Sequence, residues 1–324
     1  MFENLKTQGR WLLEATVKPI QGDRFQPTGF ADLGAARYQA PDGKMMLLVE
    51  SAQSMANRLE ATILGPDGEL LPELAGLSYI RVQMEGDSDA TTNSMTEAHR
   101  VNSPFIISDK DFQEAFKDMA GYGKNKPLDW QKIAKALFRY DINSLLHGCF
   151  LANLEDGRVK TARALTGFIE ASGVREAVSG GVKNNPIDPT GQLHAIGFDK
   201  DVYGNVPYQR VEYTAERINV YFNLDLGQLS GFGLPDRAFE LLVALALLKI
   251  RRFLDGGMRL RTACDLALVD APRVTSPEGM ELPDDSTLVA AVQAGIRACG
   301  DLLGDPSVTE ITTETKIKEK KKQE

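Results

Sequence analysis

Strand-like and helix-like segments alternate along this 324-residue chain without a regular βαβ rhythm, and several connecting segments are unusually long. A doubly wound parallel sheet needs that rhythm, whereas an α+β sheet tolerates insertions between its strands. We find no internal repeat and no segment with the composition of a linker. The sequence therefore predicts one α+β domain with protruding insertions.

Apolar spacing indicates where the individual elements lie. Strand composition or alternation predicts strands at residues 11–18, 45–49, 77–84, 145–151, 164–169, 211–222 and 258–269. Helical spacing predicts helices at residues 51–61, 109–119, 128–138, 236–254 and 285–303. Two polar stretches interrupt the series. We expect residues 86–96 to be weakly structured and residues 172–204 to form a long flexible loop.

Charge and composition limit the classes of function that this chain can have. With 43% apolar residues the chain can build a large core. Its formal net charge of −8 argues against a protein that coats nucleic acid over its whole surface, but is compatible with binding through one cationic groove. The three cysteines are widely spaced, no signal segment is evident, and the longest uncharged apolar run, 241–248, is too short to cross a bilayer. We therefore expect a cytoplasmic protein without a membrane span.

Polar side chains gather at the predicted start of the first helix. Ser54 and Arg58 share one helical face, and Asn57 lies on the neighbouring face. Because the first backbone N–H groups of a helix favour an anion, a phosphate could meet hydroxyl, amide and guanidinium groups there. The alternative is ordinary N-capping by Ser51 together with a salt bridge from Arg58.

Three further motifs place cations in glycine-rich or extended segments. Paired glycines before Lys183 resemble a phosphate cradle or, equally, a flexible hinge, without the spacing of a nucleotide-binding motif. Strand alternation turns Tyr208 and Arg210 to one side, which suits stacking and charge on a single nucleic-acid strand. The same alternation aligns Arg259 with Arg261 as a phosphate track, unless Arg261 pairs with an internal carboxylate.

A catalytic interpretation rests on His147 and Cys149, which would face the same way on a strand. Their neighbours are apolar, and a lone cysteine in such a run is usually a buried small hydrophobe. The three histidines show no metal-binding spacing. We therefore expect no catalytic residue, no cofactor and no metal site.

Eight segments resemble one known family when they are taken together and in order. They are residues 25–34 (FQPTGFADLG), 49–60 (VESAQSMANRLE), 97–104 (EAHRVNSP), 143–148 (NSLLHG), 163–171 (RALTGFIEA), 179–183 (SGGVK), 204–207 (GNVP) and 260–266 (LRTACDL). From about residue 8 to residue 268, the chain resembles the CRISPR-associated RAMP-type backbone subunit of the type I-U effector branch, also called type I-G.

The resemblance implies a palm with an RNA-recognition-motif or ferredoxin-like fold that carries finger-like and thumb insertions. It places a single RNA-binding palm domain at residues 1–310, with a finger or helical region at about 85–140 and a thumb-like loop at about 172–207. Residues 311–324, rich in Lys and Glu, are expected to be a charged, disordered tail.

The resemblance also implies a function and partners. Several copies would stack as a helical filament along one CRISPR guide RNA, within a type I antiviral interference complex (Cascade), and would present the guide for pairing with target DNA. Other effector subunits and a separate helicase-nuclease would be partners, and the chain itself would cut nothing. A metal-dependent endoribonuclease that processes or cleaves RNA is the alternative.

Sequence-independent binding of a guide needs sugar-phosphate contacts that leave the bases free to pair. We expect phosphate contacts from Arg24, Arg58, Arg100, Lys183, Arg210, Arg259 and Arg261. We expect hydrogen-bonding support from Gln26, Ser54, Asn57 and His99.

Overall fold

The computed structural model describes residues 2–30, 32–190 and 204–313, and in this part of the chain it has a mixed α+β architecture, as predicted. The strands are β1 (Arg10–Pro19), β2 (Gly29–Phe30), β3 (Gly34–Ala35), β4 (Arg37–Gln39), β5 (Met45–Glu50), β6 (Tyr79–Met84), β7 (Asp87–Asn93), β8 (Leu165–Ser172), β9 (Arg175–Lys183), β10 (Val206–Thr214), β11 (Arg217–Asp225), β12 (Met258–Arg261), β13 (Cys264–Leu268), β14 (Arg273–Ser276) and β15 (Val308–Thr313). The helices are α1 (Ala52–Ala61), α2 (Pro104–Ile107), α3 (Lys110–Ala120), α4 (Trp130–Tyr140), α5 (Ile142–His147), α6 (Leu226–Gly231), α7 (Asp236–Asp255), α8 (Asp285–Ala298) and α9 (Gly300–Leu303).

An eight-stranded antiparallel sheet organises the fold. Its path runs β12-β13-β1-β11-β8-β5-β4, and β14 also pairs with β1. Along β1, buried residues such as Trp11, Leu13 and Val17 alternate with half-exposed ones. This period of two shows that one face of the sheet lies on the core while the other faces outward.

Helices α1 and α7 pack against the buried face. α7 is buried from Ala238 to Leu254 except for a few positions, and its Phe253 meets Phe222 of β11 edge to face, with ring centroids 5.9 Å apart. α1 contacts both β8 and α7, and α8 contacts α7. A helix that is apolar around most of its circumference must be enclosed, and these contacts enclose α7.

A three-stranded sheet lies apart from the main one. β15 pairs in parallel with β6, and β6 pairs antiparallel with β7. Strand β7 corrects the expectation that residues 86–96 are weakly structured, because pairing with β6 orders a polar segment. Pairing with β6 also orders residues 311–313, which were expected to belong to the disordered tail but form the end of β15. The rest of the expected tail, residues 314–324, lies outside the described residues.

The segment 145–151 was predicted as a strand, but its first three residues, 145–147, belong to helix α5. The Asp141 side chain caps this helix by accepting a hydrogen bond from the backbone N–H of Asn143, and the Ser144 hydroxyl donates to its other oxygen at 2.6 Å. Gly148, with a φ of 74°, ends the helix. A short apolar run fits a strand or a helix, and the cap selects the helix here.

Strands β9 and β10 form a separate two-stranded hairpin, which corrects the expectation of a loop over part of residues 172–204. Gly180 and Gly181 pair with β10 inside this hairpin. A Cβ on Gly180 would lie 2.8 Å from the backbone oxygen of Tyr208, so the glycine permits close pairing rather than forming a phosphate cradle. Residues 191–203, also within the expected thumb-like loop, lie outside the described residues.

Candidate nucleic-acid interface

Five of the predicted arginines surround the segment that joins β1 to β2. We refer to them as the arginine cluster: Arg24, Arg58, Arg210, Arg259 and Arg261. Phe25 exchanges two backbone hydrogen bonds with Tyr213 of β10, at 2.9 and 3.0 Å. The Gln26 N–H donates to the backbone oxygen of Ala263, between β12 and β13, at 2.8 Å. These bonds bring the hairpin base and the end of β12 to the same segment.

Glu50, at the end of β5, is a fully buried carboxylate shared by two members of the cluster. Arg58 of α1 donates from Nε to Oε1 at 3.0 Å, and Arg261 donates from Nη2 to Oε2. Arg58 also donates to two backbone oxygens of β12, and Arg261 to those of Gln26 and Val49. Arg58 and Arg261 therefore form the internal salt bridges that were the alternative to phosphate binding. These two guanidiniums hold the elements of the site together.

The other three members of the cluster remain more open. Arg24 and Arg210 approach the buried Glu212 of β10 at 3.4 and 3.8 Å, yet the Arg24 side chain is 57% exposed. The Arg259 side chain is 74% exposed and lies 4.0 Å from Asp265. Exposed guanidiniums with weak internal partners keep N–H groups available for phosphate oxygens.

An open groove of about 660 Å³ runs beside the cluster. Phe30 and Leu33 line it and are 77% and 83% exposed. Gln26 also lines it, and its buried Oε1 has no hydrogen-bond partner among the described residues. Arg37 and Glu176, which also line the groove, form an ion pair. Exposed apolar and aromatic groups beside cations suit the stacking and charge contacts of single-stranded nucleic acid.

Arg100 does not belong to this surface, which corrects the expectation that it contacts a phosphate. Its guanidinium is buried against Glu60, with Nε and Nη2 donating to the two carboxylate oxygens at 2.6 and 2.7 Å. Nη1 donates to the backbone oxygen of Gly148 at 3.1 Å. The side chain therefore ties α1 to the end of α5 inside the protein.

Lys183 and His99 are exposed but lie away from the cluster. Lys183 is the last residue of β9. It lies four residues beyond Ser179, the residue paired with Arg210, and four residues of a strand span about 13 Å. No hydrogen bond or ion pair within residues 2–30, 32–190 and 204–313 joins His99 to a member of the cluster. Lys183 could extend a phosphate track along the hairpin, while His99 is separate.

The polar residues of α1 divide between structure and surface. The Ser54 N–H donates to the Ser51 hydroxyl oxygen at 3.3 Å, which confirms the ordinary N-cap. Ser54 is half-buried, whereas Asn57 is exposed and adjoins Arg58. Asn57 is thus the better placed of the two expected supporting residues.

The pair considered for thiol catalysis lies in the core. His147 is the last residue of α5 rather than part of a strand, and its Nε2 is 2.8 Å from Lys249 Nζ. Burial lowers the pKa of His147 well below its usual value and raises the pKa of the Cys149 thiol to about 11. A protonated, buried thiol is not an activated nucleophile.

No group of three or more His, Cys, Asp or Glu residues that could hold a metal ion occurs in residues 2–30, 32–190 and 204–313. None of the helices in these same residues is both long and apolar enough to span a membrane.

The carboxylates that organise the cluster and the exposed apolar groups of the groove were not predicted from the sequence. Glu50 directly follows the apolar run of β5, and a carboxylate at the end of a buried strand needs a cationic partner. That signal was available, although the identity of the partner was not. Nothing in the local sequence distinguishes exposed Phe30 and Leu33 from core residues.

An α+β domain with exposed guanidiniums beside an open groove has the features of a nucleic-acid-binding protein. The family model described as CRISPR-associated protein GSU0053 matches residues 11–176, just over half of the chain. The chain therefore belongs to this family of CRISPR-associated proteins. This match confirms the CRISPR-associated family resemblance seen in the sequence.

Other comparisons give distant similarities. No curated protein matches the chain. A chain of a "CRISPR RNA-guided surveillance complex, pre-nicking" is 15% identical with a TM-score of 0.45, over 90% of this chain and 85% of that one. Csc2 of Thermofilum pendens is 8% identical with a TM-score of 0.32, over 91% and 76%. A chain of a "CRISPR RNA-guided surveillance complex" is 14% identical with a TM-score of 0.29, over 76% and 71%.

Proposed function

We propose that this protein binds a CRISPR guide RNA through the arginine cluster and the adjacent groove, as a non-catalytic backbone subunit of a type I interference complex. The observation that carries the proposal is the placement of Arg24, Arg210 and Arg259 around one small pocket of about 290 Å³. Arg24 lines this pocket, and so do Glu212 and Asp265, the carboxylates nearest to Arg210 and Arg259. The five arginines outnumber their three carboxylate partners. The site is therefore locally cationic although the whole chain is acidic.

The proposed palm has an RNA-recognition-motif or ferredoxin-like fold. Its support is the run β13-β1-β11-β8, in which each strand is antiparallel to its neighbour. Along the chain, β1 is the first of these strands, β8 the second, β11 the third and β13 the fourth, so their order across the sheet is 4-1-3-2. Helix α1 lies between the first and second strands, and α7 lies between the third and fourth. That is the connectivity of a βαββαβ unit. Residues 1–310 then form one domain, with a finger or helical region at about 85–140 and a thumb at about 172–207.

Phosphate contacts made by arginines would hold the RNA backbone without reading its sequence, which suits a subunit that must accept any guide. Several copies would stack along one guide as a helical filament with other effector subunits. The exposed bases would pair with target DNA, and a separate helicase-nuclease would cut that DNA. We assign the chain to the type I-U (I-G) branch and place it in the cytoplasm.

The direct test replaces Arg24 and Arg259 with Ala together and measures RNA binding at several salt concentrations. Loss of two phosphate contacts should weaken binding at low salt and lower the slope of log affinity against log salt by about 1.4, at about 0.7 per contact on a single strand. The matched control is Arg237→Ala, because Arg237 is 42% exposed, ion-paired with Asp301, and lies about 27 Å away at the other end of α7. Equal slopes for both variants and the unmodified protein would reject the cluster as the RNA site.

A cleavage assay tests the non-catalytic part of the proposal. Labelled precursor RNA incubated with the purified protein should remain intact with and without a divalent metal. Specific, metal-dependent cleavage would instead support the endoribonuclease alternative, and mutation of His99 would then show whether that side chain takes part.

A further inference from the structure

A second surface carries an apolar pocket of about 350 Å³ that the proposed RNA site does not use. Trp130, the first residue of α4, forms one side and is 48% exposed. Ile133 and Ala134 of the same helix form a buried base, and Phe232, just after α6, closes the opposite side. Lys160 completes the rim. None of the residues that line this pocket belongs to the arginine cluster.

The pocket is held in shape by contacts between its walls. Gln228 of α6 donates from Nε2 to the backbone oxygen of Ala162 at 2.8 Å. Gly233, with a φ of 66°, packs so closely on Gln131 of α4 that a Cβ would lie 2.7 Å from the Gln131 side chain. A preformed apolar pocket loses little conformational freedom when a ligand side chain enters.

The rim of the pocket is cationic. Lys160 Nζ lies 5.8 Å from the ring centroid of Phe150, a side chain that is 50% exposed. Arg158 Nη2 donates to the backbone oxygen of Lys126 at 2.8 Å, so the lysine-bearing segment 123–128 adjoins this rim. Among the described residues, no carboxylate lies within 4.0 Å of Lys124, Lys126 or Lys160. Two carboxylates of this region are already ion-paired: Asp129 with Lys132, and Asp156 with Arg158.

We propose that this pocket binds an acidic segment of a partner protein that inserts one aromatic or aliphatic side chain. The two neutral polar side chains in the wall, Gln228 and Thr161, already hydrogen-bond within the protein, so a nucleobase would find few partners for its polar edge. An apolar anchor fits the lining, and carboxylates that flank it complement the lysines. The chain's own residues 314–324 contain five lysines and three glutamates, so their net charge has the wrong sign.

Tryptophan fluorescence can report on this pocket directly. The chain has two tryptophans, and Trp11 is fully buried, so acrylamide quenching reports mainly on Trp130. The probe is a short synthetic peptide of Asp and Glu with one central Phe, titrated into the full chain. It should protect Trp130 from quenching and bind about tenfold more tightly than the same peptide with Ala in place of Phe. Lys160→Glu should weaken the binding by about tenfold.

Two variants and an RNA probe make the result decisive. Trp130→Ala should lose affinity for the labelled Phe peptide in fluorescence anisotropy, while Val269→Ala, which changes an exposed apolar side chain just after β13, should not. Thermal unfolding checks that both variants fold. Equal binding of the two peptides, or no binding of either, would overturn the proposal. Protection of Trp130 by a short oligouridine but not by the peptide would also overturn it, because the surface would then bind RNA.

Discussion

At the scale of single residues, buried carboxylates determine what each arginine does. Glu50 and Glu60 are both buried, and each accepts hydrogen bonds from guanidinium groups that are themselves largely enclosed. Arg58 and Arg100 therefore connect structural elements, whereas Arg259 is left mostly in solvent. Residues of one chemical type thus divide into internal and surface roles.

We predict that Arg100→Leu lowers the free energy of unfolding by about 3 kcal/mol, because Glu60 would remain buried without its partner. Chemical denaturation measures this change, and RNA affinity of the folded protein should stay the same. Arg37→Ala, which breaks an exposed ion pair, should change stability by less than about 1 kcal/mol. A fully stable Arg100→Leu protein with weaker RNA binding would return Arg100 to the binding surface.

Lys249 makes stability depend on pH. It is fully buried in α7, and burial lowers its pKa from 10.5 to about 7, although Glu60 and Asp141 oppose this shift. Between about pH 7 and pH 8 the unfolded chain keeps the Lys249 proton while the folded chain releases it. Because the unfolded state then binds more protons, stability should rise with pH, by about 1 kcal/mol over this window.

Equilibrium denaturation at several pH values within this window measures the effect, and Lys249→Met should abolish the slope. The raised pKa of Asp141, about 6, affects stability only at lower pH. Burial raises the pKa of all three cysteine thiols to about 11, and they reduce stability as the pH rises above about 8. Stability that is flat or falls with pH in the unmodified protein would contradict a neutral Lys249 in the folded state.

At the scale of elements, backbone pairing orders several segments that have little apolar content. The β9–β10 hairpin is the clearest case, since Gly180 allows the backbone of Tyr208 to approach closely. A side chain at that position would push the two strands apart. The glycine is therefore needed for the hairpin that carries Arg210 in the middle of β10.

We predict that Gly180→Ala increases amide hydrogen exchange in β9 and β10 by about tenfold, because the new Cβ overpacks the strand pair. Gly300→Ala is the control, since nothing lies within 4 Å of a Cβ added there. Unchanged exchange in the hairpin of Gly180→Ala would mean that the strands accommodate the methyl group without separating.

Strongly patterned elements could be predicted from the sequence, and sparsely apolar ones could not. β1 and α7 follow directly from their apolar spacing, because each buries a defined face against the core. β15 was missed because its residues are mostly polar and its partner β6 lies more than two hundred positions earlier. For α5, the apolar run was ambiguous and the Asp141 cap was overlooked.

The same limit applies to the candidate site. Arg24, Arg210 and Arg259 could be selected from their polar surroundings, and the fold brings them together. The sequence could not show which arginines remain exposed and which pair with a buried carboxylate. Arg261 and Glu50, for example, are 211 positions apart and meet only when the main sheet forms. Local spacing carries no information about such a partner.

At the scale of the whole molecule, the cluster and the Trp130 pocket are built from different elements. The cluster lies where the β1–β2 segment, the hairpin base and β12 meet. The pocket lies between the start of α4 and the end of α6. One chain could therefore hold RNA through one site while another protein occupies the second.

We predict that several copies occupy one guide RNA. Light scattering of the purified protein with guide RNAs of increasing length should show the mass rising in steps of one subunit, because each copy covers a fixed stretch of backbone. The protein without RNA provides the reference mass. A single copy on every RNA, whatever its length, would contradict the filament arrangement.

The sharing of Glu50 by two arginines limits how this family can diverge. Loss of the carboxylate alone would leave two enclosed cations near each other, and loss of either arginine would weaken the neutralisation of a fully buried anion. Homologous sequences should therefore show joint substitution at positions 50, 58 and 261. Two neighbouring sites and a third that is 211 positions beyond the first would then evolve as a single unit.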